Sequence, residues 1–244
     1  MQGLSGSTLK LIAVVSMLID HVGAGILGRM LILGVSAGVP MEGSLLYSVY
    51  SGMRLIGRIA FPIYIFLLIE GMQKTGNRRK YAMRLGIFAL ISEIPFDLAF
   101  HGKWLEFSYQ NIFFTLFIGL LTIITIDRLG RLFTNTLMRL VLLVSVTALG
   151  AWIAESLHTD YGAIGILCIV VIYGFSYHKT LQLIAGSLVF LWEVTAPLAF
   201  IPISYYNGKR GLKLKYTFYL FYPFHLLVIY LIARALGMAQ IPAL

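Results

Sequence analysis

Long apolar runs recur along the whole chain, and short polar or basic segments separate them. Runs of about 17 to 25 apolar residues can cross a hydrocarbon layer of about 30 Å as α-helices, because each residue adds about 1.5 Å of rise. The pattern therefore predicts an all-α, polytopic integral membrane helix bundle. The predicted spans are residues 8–27, 53–73, 80–100, 109–127, 137–156, 161–177, 180–203 and 215–236.

The seventh span is the least regular of the eight. Its sequence, LIAGSLVFLWEVTAPLAFIPI, contains Glu193, Pro197 and Pro202, and proline removes a backbone donor from a helix. The segment predicts either one bent span or two half-spans, so the total is eight crossings, or nine if both halves cross. No run is left over for a soluble domain, and residues 1–244 are predicted to form a single transmembrane domain.

Basic residues collect in the connections between the apolar runs. The densest short loop is QKTGNRRKYAMR, and the positive-inside rule places it in the cytosol. With eight spans, both termini then lie in the cytosol and the acidic ESLHTDYG turn lies outside. The basic NGKRGLKLK loop is also left outside, against the rule, unless the seventh segment crosses twice.

The composition supports the membrane assignment. Hydrophobic residues make up 59% of the chain and charged residues 12%, and the mean hydropathy of +0.87 is far above that of water-soluble domains. The net charge of +9 lies in the loops and therefore indicates membrane orientation rather than a nucleic-acid partner. The single cysteine, Cys168, lies in an apolar run, which predicts core packing and excludes an intrachain disulfide.

Several ionisable residues interrupt the predicted spans. A charge at the centre of a bilayer costs about 2.5 to 3.5 kcal/mol even on the insertion scale, so it persists only when it is paired or faces a wet cavity. Asp20 and His21 stand where a leader peptide would have its cleavage site, which predicts a retained first helix. The ionisable residues that lie well inside the predicted spans are Asp20, His21, Arg58, Glu93, Asp97, Glu193 and His225.

A tight hairpin between the second and third spans suggests partners for some of these groups. It would bring Glu70 to Arg84, and Arg58 to Asp97 or Glu93. Glu93 and Asp97 are four residues apart and therefore share one helical face. Two interpretations stay open: an ion-pair cluster that holds helices together, or a substrate cavity that contains the arginine and the carboxylates.

Lys10 and His21 lie eleven residues apart in the first span, which is about three helical turns and about 16 Å. They fall on nearly the same face, with the ammonium near the membrane boundary and the imidazole near mid-membrane. This arrangement suits an elongated anionic ligand that enters from the cytosol. Asp20 and His21 point about 100° apart and cannot pair directly. A packed histidine and a snorkelling lysine are the structural alternative.

The last span contains a second mid-membrane histidine. Its sequence, KYTFYLFYPFHLLVIYLI, places Tyr219, Tyr222 and His225 near mid-depth, and Pro223 loosens the helix. Because a buried histidine needs a polar environment, His21 and His225 are predicted to share an interior site. Aromatic residues at this spacing are also typical of a packed core.

Four stretches of the chain together resemble the TraX family. They are LKLIAVVSMLIDHVG, GRIAFPIYIFLLIEGM, RLGIFALISEIPFDLAF, and YNGKRG followed by KYTFYLFYPFHLLVIYLI, and they span nearly the whole chain. The family is named after the inner-membrane enzyme that acetylates the N-terminus of the F pilin subunit. The resemblance implies acetyl transfer from acetyl-CoA in the bacterial cytoplasmic membrane.

The chain is similar, more distantly, to the membrane acyltransferase-3 family. The first span of that family carries a basic residue, ten intervening residues and a histidine, and Lys10 and His21 match this spacing. The late stretch YLFYPFH is similar to a Tyr-Leu-x-His motif with longer spacing, which leaves the role of His225 open. By this resemblance His21 is catalytic and Lys10 helps to hold the acyl donor.

The resemblance implies an acyltransferase that moves an acetyl group to a glycan, a lipid head group or a peptide or pilin amine. Histidine suits this role because its ordinary pKa of about 6.5 lets it accept a proton near pH 7. Neither a metal nor a nucleic-acid partner is predicted. The predicted residues are His21 and Asp20 for catalysis; Lys10, Arg78, Arg79 and Lys80 for acyl-CoA binding; and Arg58, Glu93, Asp97, Asn111, Tyr222 and His225 for a polar cavity, where Arg58 or Asn111 stabilises the oxyanion.

Two other functions fit the intramembrane polar residues. A proton-coupled transporter also uses carboxylates and histidines, although the sequence lacks the internal repeats that many transporters show. A noncatalytic envelope or pilus assembly protein would use the polar cluster only to hold helices together. Turnover of acetyl-CoA that is lost in His21→Ala would distinguish the enzyme from both.

Overall fold

The computed structural model of the chain describes residues 3–38, 40–212 and 215–243, and this described part contains α-helices and no β-strand. A π-helical turn, Gly23–Gly28, joins the first two helices, and a 3₁₀ turn, Ala196–Ala199, precedes the tenth. The helices are α1 Gly6–Val22, α2 Arg29–Ser36, α3 Leu45–Gly57, α4 Ala60–Lys74, α5 Arg78–Phe100, α6 Ile112–Gly130, α7 Thr136–Ser156, α8 Gly162–Gly174, α9 Lys179–Val189, α10 Phe200–Ser204 and α11 Lys215–Ala235.

The predicted all-α fold class is confirmed. Helices that are long and apolar enough to cross a membrane number five in the part of the chain that the structure describes. Their outer faces carry large exposed apolar side chains, as lipid-facing surfaces do. The count of eight or nine crossings stays a prediction. The five helical stretches are Gly6–Ser36, Leu45–Lys74, Ile112–Gly130, Thr136–Ser156 and Tyr216–Ala235.

The predicted irregular seventh segment is broken. Helix α9 ends at Val189, turns follow, and the chain resumes as the 3₁₀ turn that contains Pro197 and then as α10. The 11 residues of α9 extend only about 16 Å, which is about half of a hydrocarbon layer. Proline lacks the N–H that a continuous helix needs, which is the reason that the sequence suggested a break here.

Polar caps fix where several helices begin. The side chains of Ser5, Ser44 and Asn135 each accept a hydrogen bond from a backbone N–H in the first turn of α1, α3 and α7, respectively. The first N–H groups of a helix have no partner within the helix, so these side chains supply one. The apolar runs determine that helices form, and the capping residues determine where they start.

The chain forms two compact units. The first unit consists of Met1–Tyr64, Ile91–Glu106 and Phe190–Leu244, and the second of Ile65–Leu90 and Phe107–Val189. In the second unit α6, α7 and α8 pack on one another around buried Ile118, Ala154 and Ile166. The single transmembrane domain stays a prediction.

Helices α1 and α3 pack against each other in opposite directions in the first unit. Ser16 of α1 donates a hydrogen bond to the carbonyl of Ile56 in α3. Asp20 lies one turn after Ser16 in α1, and its partner Arg54 lies before Ile56 in α3. The helices approach closely at Gly57, where a Cβ atom would lie 2.2 Å from the Cβ of Asp20. Only glycine fits at this position.

Helices α1 and α11 run in the same direction. Near the start of both helices the ammonium of Lys10 lies 5.5 Å from the centre of the Phe218 ring. Further along both helices, His21 contacts His225. Residue numbers therefore rise together along the two helices, which identifies them as parallel neighbours.

The loop that precedes α11 binds the start of the chain. The backbone N–H of Leu4 donates to the carbonyl of Tyr205 at 2.8 Å, and the N–H of Gly6 donates to the carbonyl of Lys209 at 2.8 Å. The YNGKRG stretch thus lies on the same side as the N-terminus. Lys213, from the same basic loop, lies outside the described residues.

These contacts bear on the predicted topology. Helices α1 and α11 are both long and apolar enough to cross a membrane, and two parallel helices that both cross would place the N-terminus and the C-terminus on opposite sides. The parallel packing therefore favours an odd number of crossings, such as nine, over the eight-span arrangement with both termini in the cytosol, and both counts stay predictions. The basic YNGKRG loop shares the side of the N-terminus and no longer conflicts with the positive-inside rule.

Candidate functional site

A hydrogen bond between two histidines forms the centre of the site in the first unit. Nδ1 of His21 in α1 lies 2.7 Å from Nε2 of His225 in α11. The ring planes differ by 6°, and the ring centres are 5.0 Å apart. Because the nitrogens are closer than stacked rings can approach, the rings lie edge to edge, which suits an in-plane N–H···N bond.

The hydrogen-bond partners assign the tautomers of both rings. Nδ1 of His225 lies 2.7 Å from the carbonyl oxygen of Phe221, which only accepts, so this nitrogen carries the proton. Nε2 of neutral His225 is then the acceptor, and Nδ1 of His21 donates to it. In neutral His21 this leaves Nε2 with its lone pair, which is the form that a general base or a nucleophile requires.

Aromatic rings surround the pair. Phe100 and Tyr222 meet the edge of His21 with ring centres 5.3 Å and 5.8 Å away. His225 and Tyr222 are 4% and 2% exposed, whereas His21 is partly exposed. The structure thus brings together three residues that the sequence predicted for one site.

The helix changes its geometry immediately after His21. Residues Gly23–Gly28 form a π-helical turn, a rare feature that is frequent at functional sites because it shifts the backbone hydrogen bonds by one residue. Gly25 in this turn faces Ile229 of α11, and a Cβ atom would lie 2.5 Å from its Cγ2. The close approach of α1 and α11 therefore depends on this glycine.

Asp20, the other predicted catalytic residue, points to a different neighbour. Its Oδ2 accepts a hydrogen bond from the guanidinium of Arg54 at 2.8 Å, and the two side chains are 17% and 26% exposed, respectively. This ion pair joins α1 to α3 and so positions the helix that carries His21. A catalytic role for Asp20 stays a prediction.

Arg58 and Glu70 each have a partner that the hairpin did not predict. Arg58 donates to Glu193 at 3.1 Å, because the break in the seventh segment brings that carboxylate to the end of α3. Glu70 pairs with Lys74, one turn further along α4, at 2.6 Å. The predicted contacts of Arg58 with Asp97 or Glu93, and of Glu70 with Arg84, stay predictions. The hairpin prediction assumed two uninterrupted helices and did not consider partners from other segments.

Asp97 and Asn111 hold backbone segments. In the first unit, Asp97 is fully buried and accepts a hydrogen bond from the backbone N–H of Glu106 at 2.8 Å. In the second unit, Asn111 caps α6 by accepting from the N–H of Phe113, and its amide donates to the carbonyl of Ala89 at 2.9 Å. Their predicted roles in a substrate cavity stay predictions, as does that of buried Glu93.

Lys10 and His21 lie on one uninterrupted α-helix, as the predicted spacing requires. The ammonium of Lys10 lies over the ring of Phe218, a cation–π contact that holds it beside α11. Lys10 therefore lines the same pair of helices as the two histidines.

The predicted phosphate-binding arginines lie in the second unit. Arg78 and Arg79 line a pocket of about 580 Å³ together with Asp127 and Arg131, whereas Lys80 is exposed and does not line it. The guanidinium of Arg131 lies 2.8 Å from Oδ2 of Asp127. Hydrogen bonding and the charge of that carboxylate raise the pKa of Arg131, so its guanidinium stays charged.

The sequence reasoning did not consider Arg29 and the arginines that follow α6. Arg29 is fully buried, and its Nε donates to the carbonyl of Ile241 at 2.6 Å. A charge in the first apolar stretch was a signal for it. For Arg128 and Arg131, the sequence did contain a signal. The predicted fourth span ends at residue 127, on the side of the membrane where the predicted third span begins close to Arg78.

No group of three metal-ligating side chains occurs in residues 3–38, 40–212 and 215–243.

Comparison with known proteins identifies a fimbrial relative. The chain is 27% identical over 253 residues to the probable fimbrial assembly protein FimC, serogroup H1, of Dichelobacter nodosus, with 91% of this chain and 93% of that protein covered. No solved structure matches the chain significantly.

The family comparison covers the whole of the site in the first unit. The profile of the TraX protein family matches residues 5–233. This range includes Lys10, both histidines and the helices α1 and α3 that Asp20 joins. The chain therefore belongs to the TraX family.

Proposed function

We propose that the chain is a membrane-embedded acyltransferase that moves an acetyl group from acetyl-CoA to a hydroxyl or amine acceptor. The observation that carries this proposal is the hydrogen-bonded chain from His21 through His225 to the carbonyl of Phe221. These two hydrogen bonds leave the Nε2 lone pair of His21, a partly exposed residue, without a proton.

In the direct route, Nε2 of His21 removes the proton of the acceptor hydroxyl or amine as that group attacks the thioester carbonyl. The new C–O or C–N bond forms, the C–S bond breaks, and the leaving thiolate takes the proton from His21. In the second route, Nε2 attacks the carbonyl itself, the C–S bond breaks, and coenzyme A leaves as the thiolate. The acceptor then attacks the acetyl-imidazolium, the N–C bond to His21 breaks, and the proton of the acceptor neutralises the thiolate. Both routes require the same lone pair.

Lys10 supports the binding of the acetyl-CoA donor. It lies about three turns before His21 on the same helix and keeps its ammonium beside α11. In the proposed orientation Lys10 lies at the cytosolic boundary and binds a phosphate of the donor.

The similarity to a fimbrial assembly protein supports a surface structure as the acceptor. That relative is a probable fimbrial assembly protein, so a hydroxyl or amine of a fimbrial subunit is the first acceptor to examine. In that case the chain is a pilus-associated protein of the bacterial cytoplasmic membrane. Glycans and lipid head groups present the same nucleophiles.

The test compares cells that produce the wild-type protein, His21→Gln, or His178→Gln. His178 is an exposed histidine in the second unit, so its substitution is the matched control. Mass spectrometry of surface proteins, glycans and lipids should show an acetyl group in wild-type and His178→Gln cells that His21→Gln cells lack. The fraction that carries the acetyl group is then deacetylated and supplied as the acceptor. Purified wild-type protein should release coenzyme A from acetyl-CoA in its presence.

The proposal fails if no fraction differs in acetylation between wild-type and His21→Gln cells that contain equal amounts of protein. Uptake driven by an ion gradient without thioester turnover would indicate the transporter. Loss of thermal stability in His21→Gln without any acetylation difference would indicate a noncatalytic assembly protein.

A further inference from the structure

A basic pocket lies at one end of the second unit, outside the histidine site. Three parts of the chain form it: the connection between α4 and α5, the first turn of α5, and the end of α6 with the residues that follow. Its volume is about 580 Å³. The charged residues that line it are Arg78, Arg79, Asp127, Arg128 and Arg131.

Asp127 organises this pocket. Its side chain is 10% exposed and accepts hydrogen bonds from Arg78 of α5 and from Arg131, which follows α6. The hydroxyl of Tyr173 in α8 donates to the same carboxylate at 3.2 Å. Three segments of the second unit thus fix one carboxylate, and that carboxylate directs two guanidinium groups from different segments toward one another.

The pocket keeps a large positive charge. Four arginines contribute +4 and Asp127 contributes −1, which leaves +3. Arginine presents a planar set of donors that matches the oxygens of a phosphate group, and such charge-assisted hydrogen bonds are strong. Basic residues that only orient a membrane protein need to lie in the correct loop; they need not converge in a pocket around a shared, mostly buried carboxylate.

We propose that this pocket binds a ligand with two or more phosphate charges, either a soluble diphosphate compound or an anionic phospholipid whose head group carries two phosphate charges. The proposal goes beyond the acetyl transfer and does not depend on His21. Arg128 and Arg131 are the residues that it adds. If the soluble ligand is coenzyme A, the pocket also serves the proposed enzyme.

The test uses the full chain in nanodiscs of zwitterionic lipid and inorganic pyrophosphate as the probe. Calorimetric titration should show saturable binding to the wild-type protein, with weaker binding at high salt. Arg128→Gln and Arg131→Gln should each weaken binding by about tenfold. Arg139→Gln removes an exposed charge of the same unit that does not line the pocket, and it should bind pyrophosphate like the wild type.

Two further titrations distinguish the source of the ligand. Displacement of pyrophosphate by coenzyme A supports a soluble ligand. Weaker pyrophosphate binding in nanodiscs with anionic phospholipid supports a lipid head group, provided that the effect is lost in Arg128→Gln. Both results support the pocket as a phosphate site.

The proposal is overturned if the wild type does not bind pyrophosphate in zwitterionic nanodiscs, or if both arginine variants bind it as tightly as the wild type. Thermal unfolding checks that each variant is folded. His21→Gln should keep wild-type pyrophosphate binding, so a failure of the acetyl-transfer proposal leaves this result unaffected.

Discussion

Gly25, in the π-helical turn that follows α1, lies so close to Ile229 of α11 that a Cβ atom at Gly25 would be 2.5 Å from Cγ2 of Ile229. This contact is one helical turn beyond the hydrogen bond between His21 and His225 on both helices. The same close approach therefore holds the two imidazoles within bonding distance. The alignment of two parallel helices determines the geometry of the site.

Gly25→Ala should push α1 and α11 apart and lengthen the histidine hydrogen bond. We expect a lower melting temperature and a loss of acetyl transfer of about tenfold or more, because small displacements of catalytic groups are costly. Gly52→Ala is the control, since a Cβ atom at Gly52 of α3 meets no atom within 4 Å. Thermal unfolding and the acetylation assay measure both variants. Equal behaviour of the two would contradict the role assigned to the contact.

His225 should act as a positioning residue for His21. His225→Leu removes the acceptor, so we expect kcat to fall by about tenfold or more while KM for acetyl-CoA changes little. His225→Gln supplies a carbonyl oxygen that accepts from Nδ1 of His21 and should restore part of kcat. The measurements are steady-state kinetics with each variant.

An independent measurement follows the tautomer directly. In protein labelled with ¹⁵N-histidine, the spectrum of neutral His21 should show a protonated Nδ1 in the wild type and in His225→Gln. In His225→Leu the other tautomer should gain population, because the acceptor is lost. If the Nε2-protonated form predominates in the wild type, the proposed base is wrong.

The ion pair between Asp20 and Arg54 should stabilise the packing of α1 on α3. Asp20→Asn and Arg54→Gln should each lower the free energy of unfolding by about 1 to 3 kcal/mol, because each leaves a partly buried charge without its partner. The double variant should lose less than the sum of the two single variants. Denaturation in micelles measures this coupling, and strictly additive losses would exclude the pair as a stabilising interaction.

The N-terminus and the C-terminus should lie on opposite sides of the membrane. Single cysteines placed at either end of a Cys168→Ser protein provide the test, because Cys168 is the only cysteine of the chain and is buried. In intact cells a membrane-impermeant thiol reagent should label one terminal cysteine and not the other. Labelling of both, or of neither until the cells are opened, would indicate an even number of crossings, as in the eight-span arrangement.

Local sequence patterns predicted most of the helices but few of the ion pairs. The spacing of Lys10 and His21 needs only one continuous helix, and α1 provides it. The partner of Arg58 depends on the broken seventh segment, which brings Glu193 to it from 135 residues further along the chain. A prediction from one pair of neighbouring helices cannot include a partner that is so distant in the sequence.

The histidine site was also predictable from the sequence only in part. The sequence predicted that His21 and His225 share an interior site, because two polar rings at mid-membrane depth need a common environment. It did not predict the direction of the hydrogen bond between them. That direction depends on the carbonyl of Phe221, which lies one turn before His225 and acts as an acceptor only in the folded α11.

The sequence by itself determined the membrane class, the helical fold and the positions of the costly polar residues, because hydrophobicity and helical period act over a few neighbouring residues. The tertiary structure alone decided that α1 and α11 are parallel, that Asp20 binds Arg54, and that arginines from separate segments meet at Asp127. These contacts join residues that are distant in the chain, and their geometry follows from how whole helices pack rather than from any local pattern.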